Sequence, residues 1–174
     1  MSDLTMSQKI ALFPVSRMRS QVGRGECFDL ADRALRHAGA KSAADYGKIT
    51  DDADYVWGKS VELKDVQPGD ILQFRNHVIW VTTTTTSKVK LHTGQTQTTT
   101  EVKKVRHTRP HHTAIVRRVL EDGAIEVFEQ KVKPLGKRVQ KHTLYTRDFV
   151  RTKGEKVVEV KTEGRIWAYR PQPR

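Results

Sequence analysis

The order of apolar and polar positions predicts a helix early in the chain. From Cys27 onward, apolar residues recur at the spacing of one helical face, at Ala31, Ala34, Leu35 and Ala38. Gly39 then provides a C-terminal stop. A turn with two glycines, residues 23–26, precedes this pattern. The helix is therefore predicted to begin at Cys27.

Alternating apolar residues further along predict a β-hairpin. Residues 111–116 begin a strand, Asp122 and Gly123 form the turn, and residues 124–129 read as the returning strand. Residues 139–145, 157–160 and 165–169 read as further short strands. The last of these has apolar groups on both faces, which favours a central position in the sheet.

The register of this hairpin decides whether Glu129 can reach His112. A two-residue turn would pair Leu120 with Ile125 and leave Glu129 too far away. A looser turn that pairs Val119 with Ala124 places Glu129 opposite Ala114, diagonal to His112 and within reach. We expect the looser turn.

Cys27 is the only cysteine of the chain, and its position makes it a candidate nucleophile. The free N–H groups and the dipole of a helix's first turn stabilise a thiolate and lower the thiol pKa from about 8.5. Free cysteine is also among the most buried residue types, so Cys27 can equally be the first core residue of the helix. Its position alone leaves both interpretations open.

A threonine-rich stretch lies between these two regions. Residues 82–86 and 98–100 are all threonine, and Gly94 between them offers a turn. Because β-branched residues favour extended backbone, a long protruding hairpin is expected, with disorder as the alternative.

Length and charge limit the classes of protein to which the chain can belong. A chain of 174 residues that is 36% hydrophobic can bury a core without disulfides or metal, as one domain. The formal net charge is +12, and the excess of cations falls in residues 103–118 and 131–142. This basic half can attract an anionic polymer or an acidic protein, or can be a solvated face. Nucleic-acid binding is a third option, although no recognition-helix or RNP pattern is present.

Several classes of site are not expected. His107, His111 and His112 do not complete a zinc set, because there is no second cysteine and no suitably spaced carboxylate, so neither a metal nor a cofactor is predicted. The first 20 residues lack the apolar run of a signal peptide, and no stretch is long enough to span a membrane. The predicted location is the cytoplasm, with non-classical export or release by lysis left open.

Four motifs together resemble the papain-like superfamily of bacterial cysteine peptidases and amidases, in its CHAP and NlpC/P60 branch. They are Gly25-Glu26-Cys27, Pro68-Gly69-Asp70, His112-Thr113-Ala114-Ile115-Val116 and Glu129-Gln130-Lys131. The resemblance implies an α+β fold in which an N-terminal helical portion packs on an antiparallel β-sheet. It also implies one papain-like domain over residues 1–174. Residues 1–20 are then an N-terminal extension, and residues of about 80–107 an inserted hairpin. Because this insertion is adjacent to His112 in the sequence, we hypothesise that it acts as a lid or partner-binding arm.

The resemblance further implies acyl transfer at an amide of a peptide or a peptidoglycan stem. Cys27 would be the nucleophile, His112 the base, Glu129 the residue that orients the imidazole, and Gln21 an oxyanion donor. Lys131 stands where many relatives carry asparagine, which puts the third catalytic member in question. The alternative is a papain-like scaffold that has lost catalysis and binds an anionic or protein partner.

Overall fold

The sheet and two helices of this protein are seen in a computed structural model that describes residues 3–174. Neighbouring strands of the curled sheet follow the order β1-β7-β2-β3-β4-β5, with β6 paired to β7, and all of these pairs are antiparallel. The elements are α1 (Met6–Leu12), α2 (Cys27–His37), β1 (Lys59–Val61), β2 (Ile71–Lys90), β3 (Thr96–Val119), β4 (Ile125–Glu129), β5 (Gln140–Leu144), β6 (Phe149–Lys153) and β7 (Lys156–Arg170).

Helix α2 begins at Cys27, as the apolar spacing predicts. Its C-terminus is also where the sequence places it, since Ala38 caps the helix and Gly39 follows with a φ of 75°. That left-handed conformation costs glycine little. Four apolar residues in successive turns of the helix are fully buried, namely Leu30, Ala31, Ala34 and Leu35.

The two faces of the sheet carry separate hydrophobic cores. Ile71, Ile115 and Tyr169 belong to a core shared with both helices and with the buried Trp57. Their immediate neighbours in the strands point the opposite way, since successive side chains of a strand alternate. They form a second core inside the curl of the sheet, with Leu72, Ala114, Val127, Val160 and Ala168 among its members.

The threonine-rich stretch forms a hairpin, as expected. Strands β2 and β3 pair in one register from Ile71↔Ile115 to Lys90↔Thr96, interrupted at Asn76, and Gly94 lies in the turn with a φ of 82°. The boundaries differ from the predicted 80–107, because the same two strands continue without a break into the body of the sheet. Strand β7 pairs with β2 as far as Thr85↔Lys156, so most of the arm has at least three strands.

The later strands were predicted in part. Residues 157–160 and 165–169 belong to one strand, β7, which is central because β2 lies on one side of it and β1 or β6 on the other. Helix α1 and strands β1 and β6 were not predicted. They are only 7, 3 and 5 residues long, so their apolar patterns are too short to read.

The β3–β4 turn differs from the expected one, yet it leads to the expected position of Glu129. Val119 pairs with Ile125 rather than with Ala124, so the predicted turn pairing was wrong. A bulge between Val116 and Arg118 then shifts the register, and Ile115 pairs with Phe128. One further step along the ladder brings Glu129 opposite Ala114. The extra residue in β3 thus gives Glu129 the position that the looser turn was expected to give it.

Candidate active site

A cleft opens where strand β4 separates from strand β3. The β3–β4 ladder begins at Ile115↔Phe128, so residues 96–114 of β3 pair with β2 alone. The N-terminus of α2 lies at this gap. The cleft has a volume of about 1120 Å³, and its lining includes Cys27, Tyr55, Arg106, His112, Lys131 and His142. The structure therefore brings Cys27 and His112 to one groove.

The turn before Cys27 is held by its own helix. The carboxylate of Asp29 accepts hydrogen bonds from the backbone N–H of Arg24 at 2.7 Å and of Glu26 at 3.4 Å. Gly23, with a φ of 60°, lies so close that a Cβ there would be 2.9 Å from the Asp29 side chain. These contacts fix the backbone that presents Cys27 as the first residue of α2.

Gln130 joins this turn to the sheet. Its side-chain oxygen accepts from the backbone N–H of Val22 at 2.8 Å, and its amide nitrogen donates to the carbonyls of Val22 at 3.0 Å and Glu26 at 2.8 Å. Gln130 is completely buried and directly follows Glu129. One dipeptide therefore contacts both the imidazole and the backbone that carries the thiol.

His112 lies between Cys27 and Glu129. Its Nε2 is 3.1 Å from Oε1 of Glu129, which leaves Nδ1 for the Cys27 thiol. Burial lowers the pKa of His112, but hydrogen bonding to Cys27 and Glu129 and their charges raise it to about 8. The imidazole is thus able to carry a proton at neutral pH.

The Cys27 thiol has the complementary property. Burial raises its pKa, but the hydrogen bond and charge of His112, together with the backbone N–H groups of Thr113 and Phe28, hold the pKa below its ordinary value. Cys27 is only partly buried, so a reagent in the cleft can approach the sulfur. A lowered thiol pKa beside a raised imidazole pKa favours a thiolate–imidazolium pair.

Glu129 is fully buried and receives four hydrogen bonds. Arg109 binds both carboxylate oxygens, each at 2.9 Å, and His142 Nδ1 is 2.6 Å from Oε2. Burial raises the pKa of Glu129, but His112, His142 and Arg109 together hold it well below its ordinary value. The carboxylate is therefore ionised and fixed in position. Sequence reasoning missed Arg109 and His142.

Arg109 reaches Glu129 because the side chains of β2 and β3 change phase between Arg75 and Val78. The β2–β7 register shifts there, and Asn76 has a φ of 50°. Before the shift, Phe74 packs inside the curl, opposite His112. After it, His77 points to the same side, opposite Arg109. His112 and Arg109 lie three positions apart, and simple alternation would place them on opposite faces.

Three other residues singled out in the sequence occupy different positions. Gln21 is exposed, and its amide nitrogen donates to the carbonyl of Gly23 at 3.2 Å, so the structure does not bring it into the cleft. Lys131 has a φ of 64° and forms an ion pair with Glu26 at the mouth of the cleft. His111 bonds the carbonyl of Ala53 at 2.6 Å instead of Glu129.

Two further properties concern the described residues as a whole. Among residues 3–174, no group of three or more histidine, cysteine or acidic side chains is arranged to hold a metal ion. Neither of the helices described in that range is both long and apolar enough to cross a bilayer.

The cleft and the curled antiparallel sheet with its two helices fit a cysteine proteinase-fold domain. Comparison with protein families gives the same class: the chain belongs to the AIM3/BBC1 cysteine proteinase-fold domain family, whose model matches residues 2–174. This membership supports the papain-like fold that the motifs predict. No curated protein and no solved structure matches the chain.

Proposed function

We propose that this domain is a cysteine-dependent hydrolase of the peptidase or amidase kind. The observation that carries the proposal is the row formed by Cys27, His112 and Glu129, in which a thiol of lowered pKa meets an imidazole of raised pKa that is held by a buried carboxylate. The substrate amide would belong to a peptide or a peptidoglycan stem, as in the CHAP and NlpC/P60 enzymes that the motifs resemble.

The reaction follows from the charges of the pair. The Cys27 thiolate attacks the carbonyl carbon, a C–S bond forms, and the carbonyl electrons move to the oxygen. The backbone N–H of Cys27, in the first turn of α2, is a donor for this oxyanion. The His112 imidazolium gives its proton to the leaving nitrogen as the C–N bond breaks. A water molecule then attacks the thioester and gives a proton to His112, and the thiolate is released.

Glu129 acts through His112. Its Oε1 accepts the Nε2 proton, which keeps Nδ1 directed at the sulfur and stabilises the imidazolium. Arg109 and His142 keep the carboxylate in place. In this arrangement Glu129 is the residue that orients the imidazole. Lys131, which stands where many relatives carry asparagine, offers no replacement for it.

Iodoacetamide tests the proposal, because the chain has a single cysteine to label. At neutral pH we expect Cys27 to be alkylated roughly tenfold or more faster than a free thiol, since its lowered pKa raises the fraction of thiolate. His112→Ala should reduce the rate to that of a free thiol. The matched control is His111→Ala, which removes a neighbouring cleft imidazole that does not contact Glu129 and should leave the rate nearly unchanged.

Hydrolysis itself is measured as new amino termini released from a peptide pool or from purified peptidoglycan, with Cys27→Ala as the blank. Alkylation that is slow and insensitive to His112→Ala would contradict the proposal. Rapid alkylation without any release of termini would show a reactive thiol that does not hydrolyse either substrate.

A binding module without catalysis is the second candidate. It is favoured by Lys131, whose ion pair with Glu26 lines the same cleft as Cys27. The partner would be an anionic polymer or a protein, attracted by the basic side chains of the cleft. Slow labelling of Cys27 together with retained binding would support this candidate.

A further inference from the structure

One edge of strand β3 is open for more than half of its length. Over residues 96–110, β3 pairs with β2 on one side, and no strand of the described chain, residues 3–174, pairs with its other side. At about 3.3 Å per residue this edge extends for roughly 45 Å. Unpaired N–H and C=O groups in such an edge are a template for another extended chain.

The hydrogen bonds at the two ends of the β2–β3 ladder show which residues face outward. At the tip, Leu91 N–H donates to the carbonyl of Gln95, and Thr86 N–H donates to Glu155 on the β7 side. Odd-numbered residues of the arm therefore bond across the β2–β3 ladder. The backbone groups of even-numbered β3 residues point to the open edge, including those of Thr100, Val102, Lys104, Arg106 and Thr108.

The pattern reverses below the phase change at Asn76. At the base, Val116 N–H donates to the carbonyl of Asp70, so here the odd-numbered residues of β3 point away from β2. Thr113 is one of them, and its backbone N–H is close enough to the Cys27 thiol to lower the thiol pKa. The open edge thus leads directly to the candidate nucleophile. Arg106 and Thr108, at its lower end, line the same cleft as Cys27.

The side chains of this edge select for negative charge. Glu101 is the only acidic residue between positions 71 and 110, whereas cations are frequent next to the edge, at Lys103, Lys104 and Arg106. Lysines on an edge strand also prevent two copies of the chain from pairing, because like charges would meet. The same charges attract an acidic strand.

We infer that an acidic peptide in extended conformation adds as a further strand to the open edge of β3, between Thr100 and Thr108, with one end of it entering the cleft at Cys27. Main-chain hydrogen bonds hold the peptide and the cationic side chains select its charge. That this peptide is a substrate rests on the proposed hydrolase. Docking of the peptide does not itself require hydrolysis.

Binding is measured with Cys27→Ala by the fluorescence anisotropy of a labelled peptide of four Glu-Thr repeats. We expect it to bind, and the Gln-Thr and Lys-Thr peptides of the same length to bind at least about tenfold more weakly. N-methylation of alternate residues leaves one edge of the strand free and should change affinity less than about threefold. N-methylation of every residue leaves the charge unchanged but should weaken binding about tenfold or more, because both edges are blocked.

Paired charge reversals place the site on the molecule. Lys104→Glu with Arg106→Glu should weaken binding of the Glu-Thr peptide about tenfold or more. Lys153→Glu with Lys156→Glu makes the same charge change on β6 and β7, at the opposite side of the arm, and should change affinity less than about threefold. Circular dichroism checks that both double variants fold.

The inference is overturned if the fully N-methylated peptide binds as well as the unmodified one. It is also overturned if an oligothymidylate of equal charge competes equally, since either result shows a general polyanion surface. Failure of the proposed function gives a different result, in which Cys27→Ala binds the peptide but the wild-type chain does not cleave it. Cleavage that Lys104→Glu with Arg106→Glu leaves unaffected would support the hydrolase and reject the docking.

Discussion

The charge state of His112 depends on two neighbours that act in the same direction. Burial alone would make the imidazole neutral, but Cys27 and Glu129 raise its pKa to about 8. The Cys27 pKa is correspondingly held below its ordinary value by His112 and by backbone N–H groups. Both shifts favour a thiolate beside an imidazolium. Acid protonates the sulfur, and base removes the charge of His112.

Glu129→Gln is expected to raise the pH at which the Cys27 thiolate forms. The amide cannot hold the imidazolium as the carboxylate does, so the pKa of His112 falls and that of Cys27 rises toward its ordinary value. The midpoint of the iodoacetamide rate against pH should therefore move to higher pH. Glu126→Gln is the matched control, because Glu126 is also a buried glutamate of β4 but bonds Arg117 and Arg118 outside the site. Equal midpoints in both variants would contradict an orienting role for Glu129.

The residues of the site differ in how far the sequence could reveal them. Cys27, His112 and Glu129 stand in motifs with local signals, a helix start and a hairpin, and the structure brings them together. Their catalytic roles remain predictions. Gln130 stands in the same motif as Glu129, but its role had no signal there, and Arg109 had no signal at all. Each acts through contacts that exist only after β3, β4 and the turn before α2 have met. Gln21 had only a spacing to support it, and its amide bonds the nearby Gly23 carbonyl instead.

At the scale of elements, the phase change in β2 and β3, at the bulge where β2 pairs with β7, places the site's charges. Asn76 takes a left-handed conformation, and Gly164 of β7 lies directly against it with a φ of 90°. A Cβ at Gly164 would be 2.1 Å from the Asn76 carbonyl oxygen. Only glycine allows this approach, which makes Gly164 the sequence signal for the bulge.

Gly164→Ala should destabilise the fold by about 2–4 kcal/mol, because the backbone must move and the residue is strained. Urea unfolding followed by circular dichroism measures the change. Gly154→Ala is the control, since Gly154 also has a positive φ, 61°, but an added Cβ there meets nothing within 4 Å. It should cost about 1 kcal/mol. If both variants lose the same stability, the close approach at Asn76 does not matter.

Long elements could be read from the sequence and short ones could not. Helix α2 and the β2–β3 hairpin have enough residues for their period and β-branched content to show. The turn after β3 could not be placed, because the bulge at residue 117 depends on how the curled sheet packs. No local pattern distinguishes that bulge from a looser turn, since both give Glu129 the same neighbour.

At the scale of the whole molecule, the site exists because a helical portion and a sheet are held in one orientation. Cys27 belongs to the first and His112 to the second. Both helices pack on one face of the sheet through the shared core. That core fixes the approach of α2, but apolar packing is not directional, so it does not by itself set the position of the first turn. The three hydrogen bonds of Gln130 do so.

Gln130→Leu is expected to separate the thiol from the imidazole. The substitution keeps the side-chain volume similar but leaves the N–H and carbonyl of Val22 and the carbonyl of Glu26 without their partner, at a cost of about 2–4 kcal/mol. The turn before α2 should then loosen, and the iodoacetamide rate of Cys27 should fall toward that of a free thiol. Gln140→Leu is the matched control: Gln140 is buried too, but its amide bonds Val132 within the 130–140 segment, so stability should fall while the rate stays high. Hydrogen exchange of residues 22–28 gives an independent readout, with faster exchange expected in Gln130→Leu alone. An unchanged alkylation rate in folded Gln130→Leu would show that the core suffices to align Cys27 with His112.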